Sequence, residues 1–257
     1  METSLDIALV QTSLFWHDPE KNREHFTSLI DGISKKVDLI VLPETFTTGF
    51  TMTPTEIDPS EGELTLSWMK EMAQRQDAAI AGSIPFFEKG QYTNRLFFVE
   101  PDGSFRYYDK RHTFTLAGEH LSYARGDKKL ILDFRGFRIC PMICYDLRFP
   151  VWARNTQDYD LLLFVANWPK PRIDAWDTLL KARAIENMAF CIGVNRVGVD
   201  KNGYEYPGHT ACYDGLGKQM AFSTKDEVLL VNLNKSNLKK VRDQLRFLDD
   251  RDAFTLQ

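Results

Sequence analysis

The sequence predicts an α/β fold in which helices cover a core of mixed sheet. Short apolar strand runs alternate with helix-spaced segments through most of the chain, and Gly-containing turns join two pairs of strand runs into hairpins. The alternation favours parallel pairing. The hairpins need antiparallel pairs, so a purely parallel sheet is excluded.

Leu5 to Gln11 is rich in Ile, Leu and Val and reads as the first strand. Pro19 to Lys36 carries Phe26, Leu29, Ile30 and Ile33 at helical spacing, and Val37 to Leu42 is a short buried strand. Residues 47 to 62, rich in Thr, Pro, Asp and Glu, read as a surface loop. Leu64 to Gln76 reads as a helix, with Leu64, Trp68, Met72 and Arg75 spaced at three or four, followed by a strand over Ala78 to Pro85. Asn94 to Glu100 and Phe105 to Tyr108 form a hairpin about Pro101-Asp102-Gly103, and Leu130 to Phe134 and Phe137 to Ile143 form another about Arg135-Gly136. Leu161 to Ala166 is an almost purely apolar strand. Asp174 to Met188 is a helix, with Leu179, Ala182, Ile185 and Ala189 along one side, and Phe190 to Val197 is a strand. Ala211 to Tyr213, the Gly215-Leu216-Gly217 turn and Glu227 to Leu233 complete the sheet. The charged residues after about Leu238 are expected to pack peripherally or against a partner.

Composition narrows the function classes. The 257 residues are 43% hydrophobic and include 18 Phe, 9 Tyr and 5 Trp, which excludes disorder for most of the chain. No repeat or low-complexity linker divides it, so a single domain over 1–257 is expected. The formal net charge of −4 gives no basic surplus for nucleic acid or an anionic membrane. No apolar run approaches the ~20 residues of a membrane span. The start, Met1-Glu2-Thr3-Ser4-Leu5-Asp6, lacks the basic and apolar regions of a secretory signal. A reduced, cytoplasmic chain is therefore expected, in which Cys140, Cys144, Cys191 and Cys212 are thiols rather than disulfides.

Three segments place a reactive group at a strand end. In Leu39-Ile40-Val41-Leu42-Pro43-Glu44 a carboxylate follows an apolar strand; alone, it reads as an ordinary loop glutamate. In Tyr108-Asp109-Lys110-Arg111-His112 a lysine follows a hairpin strand; alone, it reads as a solvated basic turn, and His112 has no second ligand at metal spacing. In Arg138 to Pro150 an apolar strand ends at Cys144, where the N–H of Tyr145 can face a developing oxyanion; Cys140 fits a buried, inert thiol. Together the three change the reading. A carboxylate can take a thiol proton, and a lysine can stabilise both that carboxylate and an oxyanion. Glu44, Lys110 and Cys144 thus suffice for acyl transfer through a thioester.

These segments resemble the nitrilase superfamily of carbon–nitrogen hydrolases. The resemblance covers nearly the whole chain. It rests on Leu42-Pro43-Glu44, Asp109-Lys110-Arg111-His112 and Ile143-Cys144-Tyr145-Asp146-Leu147-Arg148-Phe149-Pro150, supported by Asn167-Trp168-Pro169, Ala182 to Asn187 and Asn195-Arg196-Val197-Gly198. Tyr108 to Phe114 and Asn167 to Arg172 are similar, more narrowly, to the bacterial omega-amidases, which hydrolyse the terminal amide of 2-oxoglutaramate. The resemblance implies an αββα sandwich, a homodimer formed through helices and the C-terminal segment, and no metal or organic cofactor. It implies Cys144 as nucleophile, Glu44 as general base, Lys110 as electrostatic stabiliser and Glu119 as a second carboxylate orienting the lysine and substrate. Thr113 stands where leucine often follows the histidine, and Thr210 where serine is common.

For a substrate carrying a distal carboxylate, Arg148 is a candidate clamp, or else a structural tie to an acid such as Asp146. Phe46, Tyr145, Trp168 and Tyr206 are candidate pocket walls, or else aromatics of the core. The expected activity is that of an omega-amidase on a small-molecule amide. The alternatives are an N-carbamoyl amino acid amidohydrolase using the same three residues, a nitrilase, and an inactive binding protein on the same scaffold.

Overall fold

The computed structural model describes residues 3–256; Met1 and Glu2, which opened the targeting-signal reading, and Gln257 lie outside the described residues. Strand β1 (Ser4–Gln11) leads to helix α1 (Pro19–Asp31). The Asp18 carboxylate caps α1 by accepting from the Lys21 N–H at 3.1 Å, and Pro19 fits the first turn, where no N–H is needed. There follow β2 (Leu39–Val41), α2 (Glu61–Gln76), β3 (Ala79–Glu88), β4 (Gln91–Val99) and β5 (Phe105–Asp109). A single turn, α3 (Glu119–Ser122), precedes β6 (Leu132–Phe134) and β7 (Phe137–Ile143). Another, α4 (Pro150–Ala153), precedes β8 (Leu161–Val165), α5 (Ile173–Asn187) and β9 (Phe190–Val194). The remainder is β10 (Val197–Val199), β11 (Glu205–Pro207), β12 (Thr210–Tyr213), β13 (Gln219–Ser223), β14 (Glu227–Asn234) and α6 (Lys235–Leu245).

The strands form two six-stranded sheets, in the orders β14-β1-β2-β3-β4-β5 and β13-β12-β9-β8-β7-β6, with β10 and β11 paired apart. Both sheets are mixed: β1-β2-β3 and β7-β8-β9 run parallel, and the flanking pairs are antiparallel. The period-two alternation of β1 sorts its side chains between two layers. Ile7 and Leu9 join the second sheet's side chains, whereas Ala8 and Val10 join Phe26 and Ile30 of α1 and Met69 and Met72 of α2. On the second sheet, α5 lies so close to β9 that a Cβ on Gly193 would fall 2.5 Å from Leu180 Cδ1 and 2.6 Å from Trp176 Cζ2. The result is the αββα sandwich.

Several elements differ from expectation. Helix α1 ends at Asp31, where the Gly32 N–H closes on the Ser28 carbonyl, well short of Lys36. Strand β3 continues past Pro85 and turns back through Lys89 and Gly90, both at positive φ, into a strand that starts before Asn94. The buried side of α2 is Gly62, Thr65, Leu66, Met69, Met72 and Ala73, and Leu64 is 51% exposed. The buried side of α5 is Trp176, Leu180, Arg183, Ala184 and Asn187, while Ile185 is 46% exposed. The segment read as a surface loop begins buried. Thr47, Thr48 and Thr51 are inside, with their carbonyls accepting from Asn22 Nδ2, the His17 N–H and the Tyr123 hydroxyl.

Candidate active site

Glu44 sits three residues beyond β2, in a turn fastened to β3. The Thr45 N–H donates to Ser83 Oγ at 3.0 Å and the Phe46 N–H to the Ser83 carbonyl at 3.1 Å. Phe46 then closes over Gly82, where a Cβ would meet its ring at 3.0 Å. Phe46 therefore does not wall the cavity. It is fully buried on the helix side of the first sheet, against Phe26 and Trp68, and anchors the turn. The Glu44 carboxylate is fully buried and held from three sides. Oε1 accepts from Lys110 Nζ at 2.9 Å and from Asn94 Nδ2 at 2.9 Å; Oε2 accepts from the Asn167 N–H at 2.8 Å.

Lys110 follows β5, and its N–H is tied to the Asn94 carbonyl at 3.0 Å. Its ammonium is fully buried and donates to Glu44 Oε1, to Glu119 Oε1 at 3.0 Å and to Glu119 Oε2 at 2.9 Å. Burial alone would pull its pKa down, but Glu119, Glu44 and the nearby Cys144 outweigh that and raise it. Lys110 is thus a fixed cation. Glu119 opens α3 and also accepts from the Phe114 N–H. Burial raises its pKa, Lys110 opposes the rise and Glu44 adds to it. The site brings Glu44, Lys110 and Glu119 into one buried cluster.

Cys144 begins a short 3-10 turn (Cys144–Arg148) directly after β7, with φ of 45°, a left-handed conformation that costs a non-glycine residue energy. Asp146 holds that turn. Its Oδ2 accepts from the Ile143 N–H at 3.0 Å and the Tyr108 hydroxyl at 2.8 Å, and its Oδ1 accepts from the His112 N–H at 3.0 Å. His112 Nδ1 lies 2.7 Å from the same Oδ1, and its ring stacks on Phe149 at 3.7 Å. His112 is thus a support that binds the Lys110 loop to the cysteine turn. The Cys144 thiol has a pKa pushed well up, first by burial, then by the Glu44 charge and a hydrogen bond to Glu44, with Lys110 opposing. At neutral pH it is a protonated thiol beside a carboxylate. Cys140 is fully buried, with burial pushing its pKa up to about 12, as an inert thiol requires.

Cys144 lines a cavity of about 400 Å³, together with Tyr145, Arg148, Trp168 and Tyr206. The Tyr145 N–H lies in the first turn of the 3-10 segment, where amides lack an intrahelical partner. Arg148 makes no tie to Asp146, whose oxygens are taken up by other donors; its guanidinium lies over the Trp168 ring, 5.0 Å from the centroid. Arg172 lines the same cavity, 5.1 Å from the Phe114 centroid. Neither arginine forms an ion pair among the described residues. Three participants were not anticipated: Arg172, Asn94, and Phe50, whose ring lies 5.1 Å from Lys110 Nζ. Arg172 stands in the Asn167 to Arg172 stretch, which carried a usable signal; Asn94 and Phe50 had none beyond their types.

The other resembling segments are supports. Asn195 Oδ1 accepts from the Trp168 N–H at 2.8 Å, and its Nδ2 donates to the Trp168 and Gly208 carbonyls. The Thr210 hydroxyl accepts from the Asn195 N–H at 3.0 Å, the role a serine could also fill. Arg183 reaches from α5 to the Leu147 carbonyl at 2.6 Å, bracing the cysteine turn.

The carbon–nitrogen hydrolase family profile matches residues 6–243. An omega-amidase YafV from Yersinia enterocolitica is 44% identical over 256 residues, covering 99% of each chain. A 2-oxoglutaramate amidase from Bacillus subtilis is 31% identical over 250 residues, covering 95% of this chain and 96% of its own. A solved structure of a CN-hydrolase superfamily protein from Xanthomonas campestris, with an arsenic adduct in its active site, superposes with a TM-score of 0.95 at 42% identity and covers 99% of both chains. With a buried thiol, carboxylate and lysine gathered at the strand ends of an αββα sandwich, the chain belongs to the carbon–nitrogen hydrolase family. It is a hydrolase acting on amides.

Proposed function

We infer that the protein is an omega-amidase that converts 2-oxoglutaramate, and similar dicarboxylate monoamides, to the dicarboxylate and ammonia through a thioester on Cys144. The observation that carries this reading is one cavity with the Cys144 thiol on its wall and two guanidinium groups, Arg148 and Arg172, without carboxylate partners among the described residues. A short substrate with an amide at one end and a carboxylate at the other fits that polarity. The relatives named omega-amidase and 2-oxoglutaramate amidase support the same substrate.

In the mechanism, Glu44 accepts the thiol proton as Cys144 Sγ attacks the amide carbon. Lys110 and the Tyr145 N–H stabilise the oxyanion, a contribution of roughly 3 kcal/mol for one such donor. Glu44 returns the proton to the amide nitrogen, the C–N bond breaks and ammonia leaves. A water then gives a proton to Glu44 and attacks the thioester; the C–S bond breaks, and Glu44 returns the proton to the sulfur, restoring the thiol and the carboxylate. Glu119 keeps Lys110 aimed. Each proton and acyl transfer has a group of this chain. We also take the protein to be a cytoplasmic homodimer of one domain with no nucleic-acid partner. The exposed Ile185 on α5 and Leu216 support an apolar contact there.

The test is ammonia release from 2-oxoglutaramate and from N-carbamoyl-β-alanine, with the wild type and Cys144→Ala. We expect turnover of the first substrate only, falling about 10³-fold or more in the variant. Turnover of the second alone would move the function to carbamoyl hydrolysis, and a variant near wild-type activity would remove Cys144 from the chemistry.

A further inference from the structure

We propose that Asn94 is a positioning residue: its amide commits Glu44 Oε1 to the charged cluster and leaves Oε2 to accept the Cys144 proton. The idea rests on Cys144 and Glu44 acting as nucleophile and base, not on which amide is the substrate.

Asn94 lies on β4 with its side chain fully inside the sandwich. Its Nδ2 donates to Glu44 Oε1 at 2.9 Å and to Glu119 Oε1 at 3.3 Å, so one neutral amide bridges two carboxylates. Both of those oxygens also accept from Lys110 Nζ. Glu44 Oε1 therefore has two donors. Oε2 has one, the Asn167 N–H, and keeps a lone pair available. The orientation of the amide has a cost, since Asn94 Oδ1 is buried with no hydrogen-bond partner. The flipped amide would set Oδ1 against two carboxylate oxygens, which is repulsive. The fold thus tolerates an orphaned carbonyl oxygen in order to present two N–H bonds to the acids.

The chemistry explains the need. Glu44 and Glu119 share one lysine, so a site with both ionised carries a net negative charge in a dry interior. A neutral donor stabilises the ionised form of both without adding charge. When Cys144 ionises, its S–H bond breaks, an O–H bond forms at Glu44 Oε2, and the negative charge passes from carboxylate to sulfur. Oε1 keeps its contacts with Lys110 and Asn94 throughout, so Glu44 need not rotate. The charged or titratable groups facing Glu44 are Lys110, Glu119 and Cys144, with Tyr123 and Tyr206 farther out. Burial raises both tyrosines, so they stay neutral over the working range.

The experiment compares wild type, Asn94→Ala and the isosteric Asn94→Asp for kcat, KM and the pH dependence of kcat/KM. Alongside, the rate of Cys144 alkylation by iodoacetamide is followed against pH, with Cys144→Ala as the blank. Removing a donor from an ionised carboxylate raises its pKa, so the acid limb moves to higher pH. For Asn94→Ala we expect kcat to fall about 10- to 100-fold, KM to stay within about twofold and the acid limb to rise by about one pH unit. Asn94→Asp, which keeps the shape and adds a negative charge, should move the limb further. Alkylation should show the same shift even if 2-oxoglutaramate is not the substrate, which separates this inference from the choice of amide. An unmoved acid limb in whichever variant folds, or a KM rising in step with the loss of kcat, would overturn it.

Discussion

A buried thiol beside a carboxylate carries one negative charge, held on the acid, and the work of the surrounding residues is to let that charge pass to sulfur. Lys110 supplies the fixed positive charge, and burial keeps Cys144 protonated until substrate arrives. The far end of the cavity poses a different problem, since a substrate carboxylate must exchange its water shell for protein donors. A guanidinium lying on an aromatic face is held in one plane there and offers two parallel N–H bonds. Lysine at that place would offer a more strongly hydrated point charge. Arg148→Lys is therefore expected to raise KM for a dicarboxylate monoamide at least about 10-fold, equivalent to ~1.4 kcal/mol, and KM for an uncharged aliphatic amide by less than about twofold. Steady-state ammonia release with the two substrates decides it; equal effects on both would assign Arg148 a structural role.

At the scale of elements, β9 and α5 meet through a residue with no side chain. Adding a methyl at Gly193 drives it into Leu180 and Trp176, both fully buried. Gly193→Ala is expected to cost about 1–3 kcal/mol and lower the thermal midpoint by roughly 2–10 °C. Gly32→Ala at the end of α1, where φ is −77° and the nearest atoms stand at 3.4 Å, should be neutral or slightly stabilising. Thermal unfolding of the pair distinguishes close packing from a general intolerance of alanine. Helix α5 shows where sequence patterning stops being informative. Its inner stripe includes Arg183 and Asn187, both buried because they hold the Leu147 carbonyl and the Asn155 N–H, while apolar Ile185 faces out. Hydrophobic spacing assumes that polar residues are solvated, and here bracing the active-site turn reverses that. Strands β2 and β8 were legible because burial on both faces leaves nearly continuous Val, Ile and Leu runs, and β1, β7 and β9 through shorter apolar stretches. The motifs drew attention to Glu44, Lys110, Glu119 and Cys144, which the structure brings together. Asn94 was not legible, because an asparagine in Tyr-Thr-Asn-Arg carries no sign that two carboxylates fold onto it. Phe46 stayed open between wall and core, because its place in the sequence says nothing about which side of the sheet its ring faces.

Over the whole molecule, the residues of the candidate site are divided between the sheets. Glu44, Asn94 and Lys110 stand on or just beyond strands of the first sheet, and Cys144 and Asn167 just beyond strands of the second. Their distances are therefore set by how one sheet rests on the other, not by either sheet alone. Two neighbours on β4 separate this dependence from stability. Phe98 points between the sheets and meets Phe134 of β6 edge-on, with centroids 5.2 Å apart. Phe97 points to the helix layer and meets Phe86 at 5.1 Å. Both are buried, so replacing either by leucine removes similar apolar contact and should destabilise by a similar amount, about 1–2 kcal/mol. Only Phe98→Leu lets the sheets settle against each other, and a shift well under 1 Å at the strand ends alters the approach of Sγ to Glu44 and to the amide carbon. We expect Phe98→Leu to lower kcat about 10-fold while Phe97→Leu leaves it within about twofold, as the steep dependence of acyl transfer on alignment requires. Thermal unfolding and kcat measured on both variants test this. A matched loss of kcat would place the control of the site in overall stability, and no loss in either would mean that the two strand-end clusters hold their own alignment through the bridge from Glu44 to the Asn167 amide.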